Sequence, residues 1–518
     1  MRSTRVVARA DDTVAPVHRR LFGSFVEHMG RCVYGGIYEP GHPSADADGF
    51  RGDVAALVHE LGVTTVRYPG GNFVSGYRWE DGVGPRELRP RRRDLAWHSI
   101  ETNEVGLDEF ARWARRTETE LMLAVNLGTR GVPEALDLLE YANGEPGTAL
   151  ADDRVRNGTA DPHGIRMWCL GNEMDGPWQT GHMTAEEYGA LAARTAAAMK
   201  RADSTLELVA CGSSNAQMPT FGRWERTVLE RAYEHIDFIS LHAYYQEHDG
   251  DIASFLASSL DMDHFIETVV ATVDHVQRTR GSAHQVQLSF DEWNIWRQRD
   301  FNDAEQEAIA AEPHTPRAWP VAPRLLEDTY HVADAVVLGS LLISLLRHAD
   351  RVHAASLAQL VNVIAPIRTE PLGPAWRQTT FHPFALTARL ARGQVLRTRV
   401  DAPAVSTAMF GPVPAVDAVV TWDAPTGTAT VFAVNRSTDA TAPIVVDLSA
   451  LGLGAVEQAH ALWDADVYAT NGPDRPHRVT PRPLATHFED GVLQLELPAV
   501  SWAAIALRRS DLLPTARG

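Results

Sequence analysis

The sequence predicts an α/β chain, a (β/α)8 TIM barrel with an antiparallel β-sandwich behind it. Three observations predict this. At 518 residues the chain is too long for one ordinary core, so two domains are expected. Short apolar runs alternate with amphipathic helical stretches eight times through its first three quarters. Beyond Arg392 the hydrophobic period drops to two and turn signals separate the runs.

The eight strand candidates, in order, begin with "LFGSFVEH" (21–28), "VTTVRYPG" (63–70), "LMLAVNLG" (121–128) and "IRMWCLGNE" (165–173). "LELVACGSS" (206–214), "HIDFISLHAYY" (235–245), "VQLSFDEWN" (286–294) and "HAASLAQLVNV" (353–363) complete them. Stretches such as "DVAALVHELG", "LDEFARWARR" and "PEALDLLEYA" supply the helices between. Thr184 and Glu187 form a capping box that opens another helix. "LLEDTYHVADAVVLGSLLISLLRHA" is apolar nearly all round, which predicts burial at an interface as well as against strands. A doubly wound open sheet is the rival, but the chain has no glycine-rich dinucleotide fingerprint. The barrel is assigned to residues 17–394. "AVVTWDAPTGTATVFAVN", "FEDGVLQLELP" and "SWAAIALRR" then alternate as sandwich strands, with Asp490-Gly491 as a turn. "TRVVARA" near the start alternates too, so residues 1–16 and 395–518 are assigned together to a jelly-roll-like β-sandwich domain.

Composition narrows the function. The net charge of −19 and the lack of a long basic run argue against nucleic acid or anionic membrane as a partner. There is no signal-like start, no stretch approaching a membrane span, and only three cysteines, so a cytoplasmic enzyme is expected. Lys200, the single lysine, lies in a helical pattern. That excludes a P-loop and a Schiff-base lysine on a barrel strand.

Active sites of such barrels lie at the C-terminal ends of the strands. Those ends carry Glu27 and His28, Arg67 and Asn72, Asn126, Asn172 and Glu173, and Ser213 to Asn215. They continue with His242, Tyr244 and Tyr245, then Asp291, Glu292 and Asn294, then Gln359 and Asn362. This polar ring suits a polyhydroxylated ligand, whose hydroxyls each donate and accept. Trp79, Trp97, Trp178, Trp293, Trp296 and Trp319 follow strand ends and could cover the C–H faces of a sugar. Single features admit plainer readings. A lone glutamate at a strand end caps a helix or pairs with an arginine at least as often as it catalyses. Asn126 and Asn215 suit turns, Cys169 and Cys211 look like core, and His28 and His242 lack metal-ligand spacing. Convergence favours function: two carboxylates, on strands four and seven, face each other within an amide-rich ring. That is the minimal apparatus of glycoside hydrolysis, with Arg67 and Tyr244 as donors to the ionised member.

The motifs "GSFVEHMGRCVYGGIYEPGHP", "RYPGGNFVSGYRWEDGVGP", "WCLGNEMDGPWQ", "SLHAYY", "SFDEWN" and "LAQLVNVIAPI" span nearly the whole chain. Through them it resembles the α-L-arabinofuranosidases of glycoside hydrolase family 51. The resemblance implies an intracellular, exo-acting, retaining enzyme that releases terminal α-L-arabinofuranosyl residues from arabinan or arabinoxylan fragments. It implies Glu173 as acid/base and Glu292 as nucleophile. Glu27, Asn72, Asn172, Tyr244 and Gln359 would bind the sugar, with Arg67, His242, Trp97, Trp178 and Trp296 in support. It further implies no cofactor or metal, and homo-oligomers that are often hexamers. A non-catalytic sugar-binding protein, a metal-dependent hydrolase, and an endoglucanase or β-xylosidase on the same carboxylates are the alternatives.

Overall fold

The computed structural model describes residues 3–303 and 318–509. Eight strands form a closed, all-parallel barrel in chain order. They are β1 (Gly23–Phe25), β2 (Thr65–Tyr68), β3 (Glu120–Val125) and β4 (Met167–Leu170). β5 (Glu207–Ala210), β6 (Phe238–Tyr245), β7 (Gln287–Ile295) and β8 (Val352–Ala358) follow, and β8 closes on β1. The near-continuous apolar character of these strands follows from burial on both faces, by helices outside and packed side chains within. Inside, Met122, Ala124, Met167, Cys169, Val209, Phe238 and Ala354 form a dry plug. The polar residues at the strand ends stand on top of it.

The helix Ala185–Ala202 shows how the outer layer is specified. Thr184 Oγ1 accepts from the Glu187 amide, and the Glu187 carboxylate accepts from the Thr184 amide at 3.0 Å. Tyr188, Ala192, Ala196 and Met199 then recur at helical spacing on its buried face.

Behind the barrel lie two sheets. One runs Thr13–Pro16, Gln394–Leu396, Val416–Asp423, Thr428–Asn435, Ser501–Arg509, Leu453–Leu462 and Arg482–Pro483. The other runs Arg399–Asp401, Thr4–Val7, Ala442–Asp447, Val492–Leu497 and Thr486–Glu489. Val6, Val431, Val446, Leu493, Leu495 and Ile505 belong to the core between them. One pairing departs from the antiparallel expectation: Thr4–Val7 runs parallel to Ala442–Asp447.

The all-apolar helix is Val332–Arg347, shorter at its start than the hydrophobic pattern suggested. It is apolar all round because it lies between barrel and sandwich, with Trp502 of the sandwich seated on Gly339. A Cβ at Gly339 would stand 2.2 Å from the Trp502 ring. The Arg436 guanidinium bridges the seam through Nη2. Arg436 donates to Asp417 at 2.9 Å, Ser259 at 2.7 Å and Ser340 at 3.0 Å.

Candidate active site

The polar ending of β4 is built by two left-handed residues. Gly171 has φ +94° and Glu173 φ +44°, the first readily adopted only by glycine, the second costing about 1–2 kcal/mol. The turn is held by Gly176 N–H donating to Glu173 O at 2.9 Å. Both Asn172 and Glu173 are thereby buried.

Glu292 comes from β7. The parallel register of β6 and β7 sets His242 opposite Glu292 and Tyr244 opposite Asn294. His242 and Tyr244, two apart on one strand, share a face. Tyr244 OH donates to Glu292 Oε1 at 2.6 Å, and Arg67 Nη1 donates to Oε2 at 3.1 Å. Arg67 Nη2 also donates to Asn172 Oδ1 at 2.7 Å, and Asn172 Nδ2 reaches Asn72 Oδ1 at 3.4 Å. Glu173 meets His242 Nδ1 at 3.0 Å through Oε1 and accepts from Trp178 Nε1 at 2.7 Å through Oε2. One carboxylate oxygen of Glu173 and one of Glu292 lie within 4.8 Å of each other.

Burial pushes the Glu292 carboxyl up, and the neighbouring Glu173 adds to this; His242, Arg67 and the Tyr244 hydroxyl pull it back. Burial alone would depress His242, but Glu292, Asp291 and Glu173 outweigh it and push its pKa up to about 10.

A second carboxylate cluster lies beside the first. Glu27 Oε1 accepts from Trp97 Nε1 at 2.6 Å and from the Phe73 amide at 2.9 Å; Oε2 accepts from Gln359 Nε2 at 3.2 Å. Burial drives Glu27 well above the usual carboxylate range, with Glu292 and Asp94 adding to it. Gly71 of the "PGGN" motif has φ +65°, and a Cβ there would lie 2.1 Å from Glu27 Oε2. Only glycine lets the β2 loop close over this carboxyl.

The structure thus gathers Glu27, Arg67, Asn72, Asn172, Glu173, His242, Tyr244, Glu292 and Gln359 in adjoining hydrogen-bonded clusters. Trp97 and Trp178 donate into them, and Trp296 sets its ring edge-on to Tyr244 at 4.9 Å between centroids. Other ring members hold loops instead. Asn126 accepts from the Gly128 and Thr129 amides at 3.0 Å each, and Asn215 accepts from the Gln217 amide at 2.9 Å. Asn294 donates to Ile364 O at 2.5 Å, Asn362 to Arg31 O at 2.9 Å, and His28 bridges Glu101 and Tyr68. Two of the six tryptophans are buried away from the mouth: Trp293 within β7, and Trp79, which packs on Tyr141; Trp319 stacks on His98.

Asp291, counted in the polar ring from the sequence but given no role there, is a partner of His242 and Arg67. Its Oδ1 lies 3.0 Å from His242 Nε2 and its Oδ2 3.7 Å from Arg67 Nε. Adjacent strand residues face opposite ways, yet Asp291 and Glu292 both turn to His242. Between its Ser289 and Glu292 pairings β7 spends one residue more than β6 does between Ser240 and His242. This bulge re-aims the side chains. The signal in the sequence was the "DE" pair itself, two acids in a run that had to be buried.

A parallel barrel with two buried carboxyl groups facing each other across its C-terminal mouth is the architecture of a glycoside hydrolase. Residues 57–265 match the family described as "Alpha-L-arabinofuranosidase 1 domain", and 291–501 match "Alpha-L-arabinofuranosidase C-terminal domain". An intracellular exo-alpha-(1->5)-L-arabinofuranosidase of Bifidobacterium longum is 55% identical, over 96% of this chain and 91% of that one. An exo-alpha-(1->6)-L-arabinofuranosidase of the same organism is 56% identical, over 98% of each. Among solved structures, a family 51 alpha-L-arabinofuranosidase from Bifidobacterium longum superposes with a TM-score of 0.93 at 54% identity, covering 98% of this chain and 99% of that one. The chain belongs to the α-L-arabinofuranosidases of glycoside hydrolase family 51.

Proposed function

We propose that the protein is a retaining, exo-acting α-L-arabinofuranosidase that removes terminal arabinofuranosyl residues from arabinose-containing oligosaccharides by double displacement. The observation that carries this reading is the approach of the Glu173 and Glu292 oxygens to within 4.8 Å. Retaining enzymes hold their carboxyl groups about 5–5.5 Å apart, inverting ones about 6.5–9.5 Å, with a water between. The surroundings divide the roles. Glu292, held by Arg67 and Tyr244, keeps its charge and attacks the anomeric carbon. Glu173 delivers a proton to the leaving oxygen and then takes one from the water that hydrolyses the glycosyl ester. Glu27, Asn72, Asn172, Tyr244 and Gln359 grip the furanose, Trp97, Trp178 and Trp296 flank it, and Arg67 and His242 hold the carboxyls.

Relatives of nearly equal identity are named for different linkages, (1->5) and (1->6). The substrate class is therefore stated as the terminal arabinofuranosyl group and not as one linkage. The (1->5) relatives of Bifidobacterium longum and Streptomyces lividans are named intracellular, and the same location is proposed here; no helix among the described residues is long and apolar enough to cross a membrane. Homo-oligomers, hexamers by family resemblance, are proposed likewise, and light scattering would read them.

The test joins a substrate panel to azide rescue. Initial rates on aryl arabinofuranoside, xyloside, glucoside and galactofuranoside should favour the first. With a dinitrophenyl substrate, Glu173→Ala should form the glycosyl-enzyme and stall, and azide should release a product of unchanged anomeric configuration. Glu292→Ala should give the inverted azide. Like configurations from both variants would overturn the two assignments.

A further inference from the structure

Double displacement by Glu173 and Glu292 leaves a buried acid without a task. Asp291 contacts no group that would touch substrate, yet it is only 1% exposed at the centre of the site. Burying an acid there is expensive unless it is paired. Its near neighbours are His242 Nε2 at 3.0 Å, Arg67 Nε at 3.7 Å and Cys169 Sγ at 3.7 Å. The other edge of the same imidazole, Nδ1, lies 3.0 Å from Glu173 Oε1 and 3.6 Å from Glu292 Oε2. One ring therefore stands between three carboxyl groups.

We propose that Asp291 is a positioning residue for acid catalysis: it holds His242 as an imidazolium whose Nδ1–H donates to Glu173 Oε1, leaving Oε2, which faces Trp178 Nε1 at 2.7 Å, as the oxygen that carries the catalytic proton. This rests on the acid/base reading of Glu173. Two N–H groups of a charged ring satisfy Asp291 and Glu173 together, whereas a neutral ring satisfies one as donor and must accept from the other. The shift of His242 to about 10, against the depressing effect of its burial, agrees with the geometry.

The consequence for the reaction is a division of labour between the two Glu173 oxygens. In the first step the proton on Oε2 passes to the leaving oxygen as its bond to the anomeric carbon breaks and Glu292 forms the ester. Negative charge then appears on Glu173, next to a fixed cation. In the second step water attacks the anomeric carbon, gives its proton to Oε2, and the bond to Glu292 breaks. One proton leaves and one returns, while His242 keeps both of its own. With Asp291 neutralised, the ring would lose its charge near neutrality, and Nδ1 would draw the Glu173 proton to Oε1, the wrong oxygen. The same tautomer logic governs carboxylate–imidazole pairs in other hydrolases.

Other titratable groups around the ring do not mimic this. Burial pushes the Cys169 and Cys211 thiols and the Tyr244 hydroxyl up, Arg67 stays charged, and burial brings Asp175 to about 6, so it titrates on the acid side.

The test compares Asp291→Asn with wild type and Glu173→Ala on two arabinofuranosides, one with a dinitrophenol and one with an alkyl alcohol as leaving group, across pH. Asp291→Asn should lose on the order of 10²-fold in kcat/KM on the alkyl substrate at neutral pH, the scale of general acid catalysis, and at most about 3-fold on the dinitrophenyl one. Its alkaline limb on the alkyl substrate should move up by at least about one pH unit, because Glu173 loses the cation that eased its ionisation. Equal losses on both substrates with an unmoved limb would overturn the proposal, as expected if Asp291 merely braces Arg67. If Glu173→Ala itself fails to discriminate between the leaving groups, the acid assignment falls instead. Should Asp291→Asn not fold, the ring can be read directly in the wild type. With 15N-labelled histidine, and His242→Gln to assign the signals, both His242 nitrogens should remain protonated at pH 8; a neutral ring would refute the proposal.

Discussion

Gly71 shows how narrow the tolerances of the site are. Its φ of +65°, and the 2.1 Å that would separate a Cβ at this position from Glu27 Oε2, leave no room for a side chain. Gly71→Ala should therefore displace Glu27 and raise KM steeply, and it should lower the melting temperature through an overpacking cost of about 1–3 kcal/mol. Michaelis–Menten kinetics alongside thermal melts would read both. Asn172 makes a different contribution. It accepts from Arg67, which in turn holds Glu292, and its Nδ2, 3.4 Å from Asn72 Oδ1, faces the sugar's 2-hydroxyl on the proposed reading. Asn172→Ala should lower kcat and kcat/KM together, because contacts to that hydroxyl strengthen in the transition state. A variant with only a raised KM would mean that the amide binds without aiding chemistry. His242 carries a stability signature as well. Its pKa rises on folding from 6.5 to about 10, so its contribution is fully present below 6.5 and lost as pH climbs through 10. The stability gap between wild type and His242→Gln should accordingly be widest at pH 6 and shrink toward pH 10 in denaturant titrations.

At the scale of elements, the barrel strands were legible because each ends its apolar run with a hydrogen-bonding residue, so period and chemistry marked the same boundary. Glu173 and Glu292 were legible for that reason. The relation of Asp291 to His242 was not, because it depends on a bulge in β7 that no periodicity announces. Trp293 was misplaced at the mouth because β7 runs on to Ile295, carrying that ring into the wall. The helix Val332–Arg347 was readable as an interface element from its all-round apolar surface, but its one indispensable residue is small. Gly339 receives the Trp502 ring, and Gly339→Val should separate helix from sandwich. The melting temperature should fall while kcat of the folded fraction stays near wild type, since Gly339 touches no member of the site. An unchanged melting temperature would show that Trp502 has another place to go.

For the molecule as a whole, the position of Thr4–Val7 has a consequence in time. This strand sits inside a five-stranded sheet, between Arg399–Asp401 and Ala442–Asp447, with Val6 completely buried. A ribosome makes it more than 390 residues before its partners. At about 5–20 residues per second, it waits roughly 20–80 s before either neighbour exists. During that wait the barrel can assemble, but the strand's edges and its valines have nothing to pair with. Strands made late thus secure one made early, and this sheet is complete only when the two meet. Val6→Asp would place an unpaired charge at that meeting point and should cost several kcal/mol, on the order of 3. The loss should show in pulse-chase proteolysis as a nascent product whose barrel is already resistant while its amino-terminal segment is still cut. Simultaneous protection of both parts would mean that the early strand finds a temporary shelter on the barrel itself.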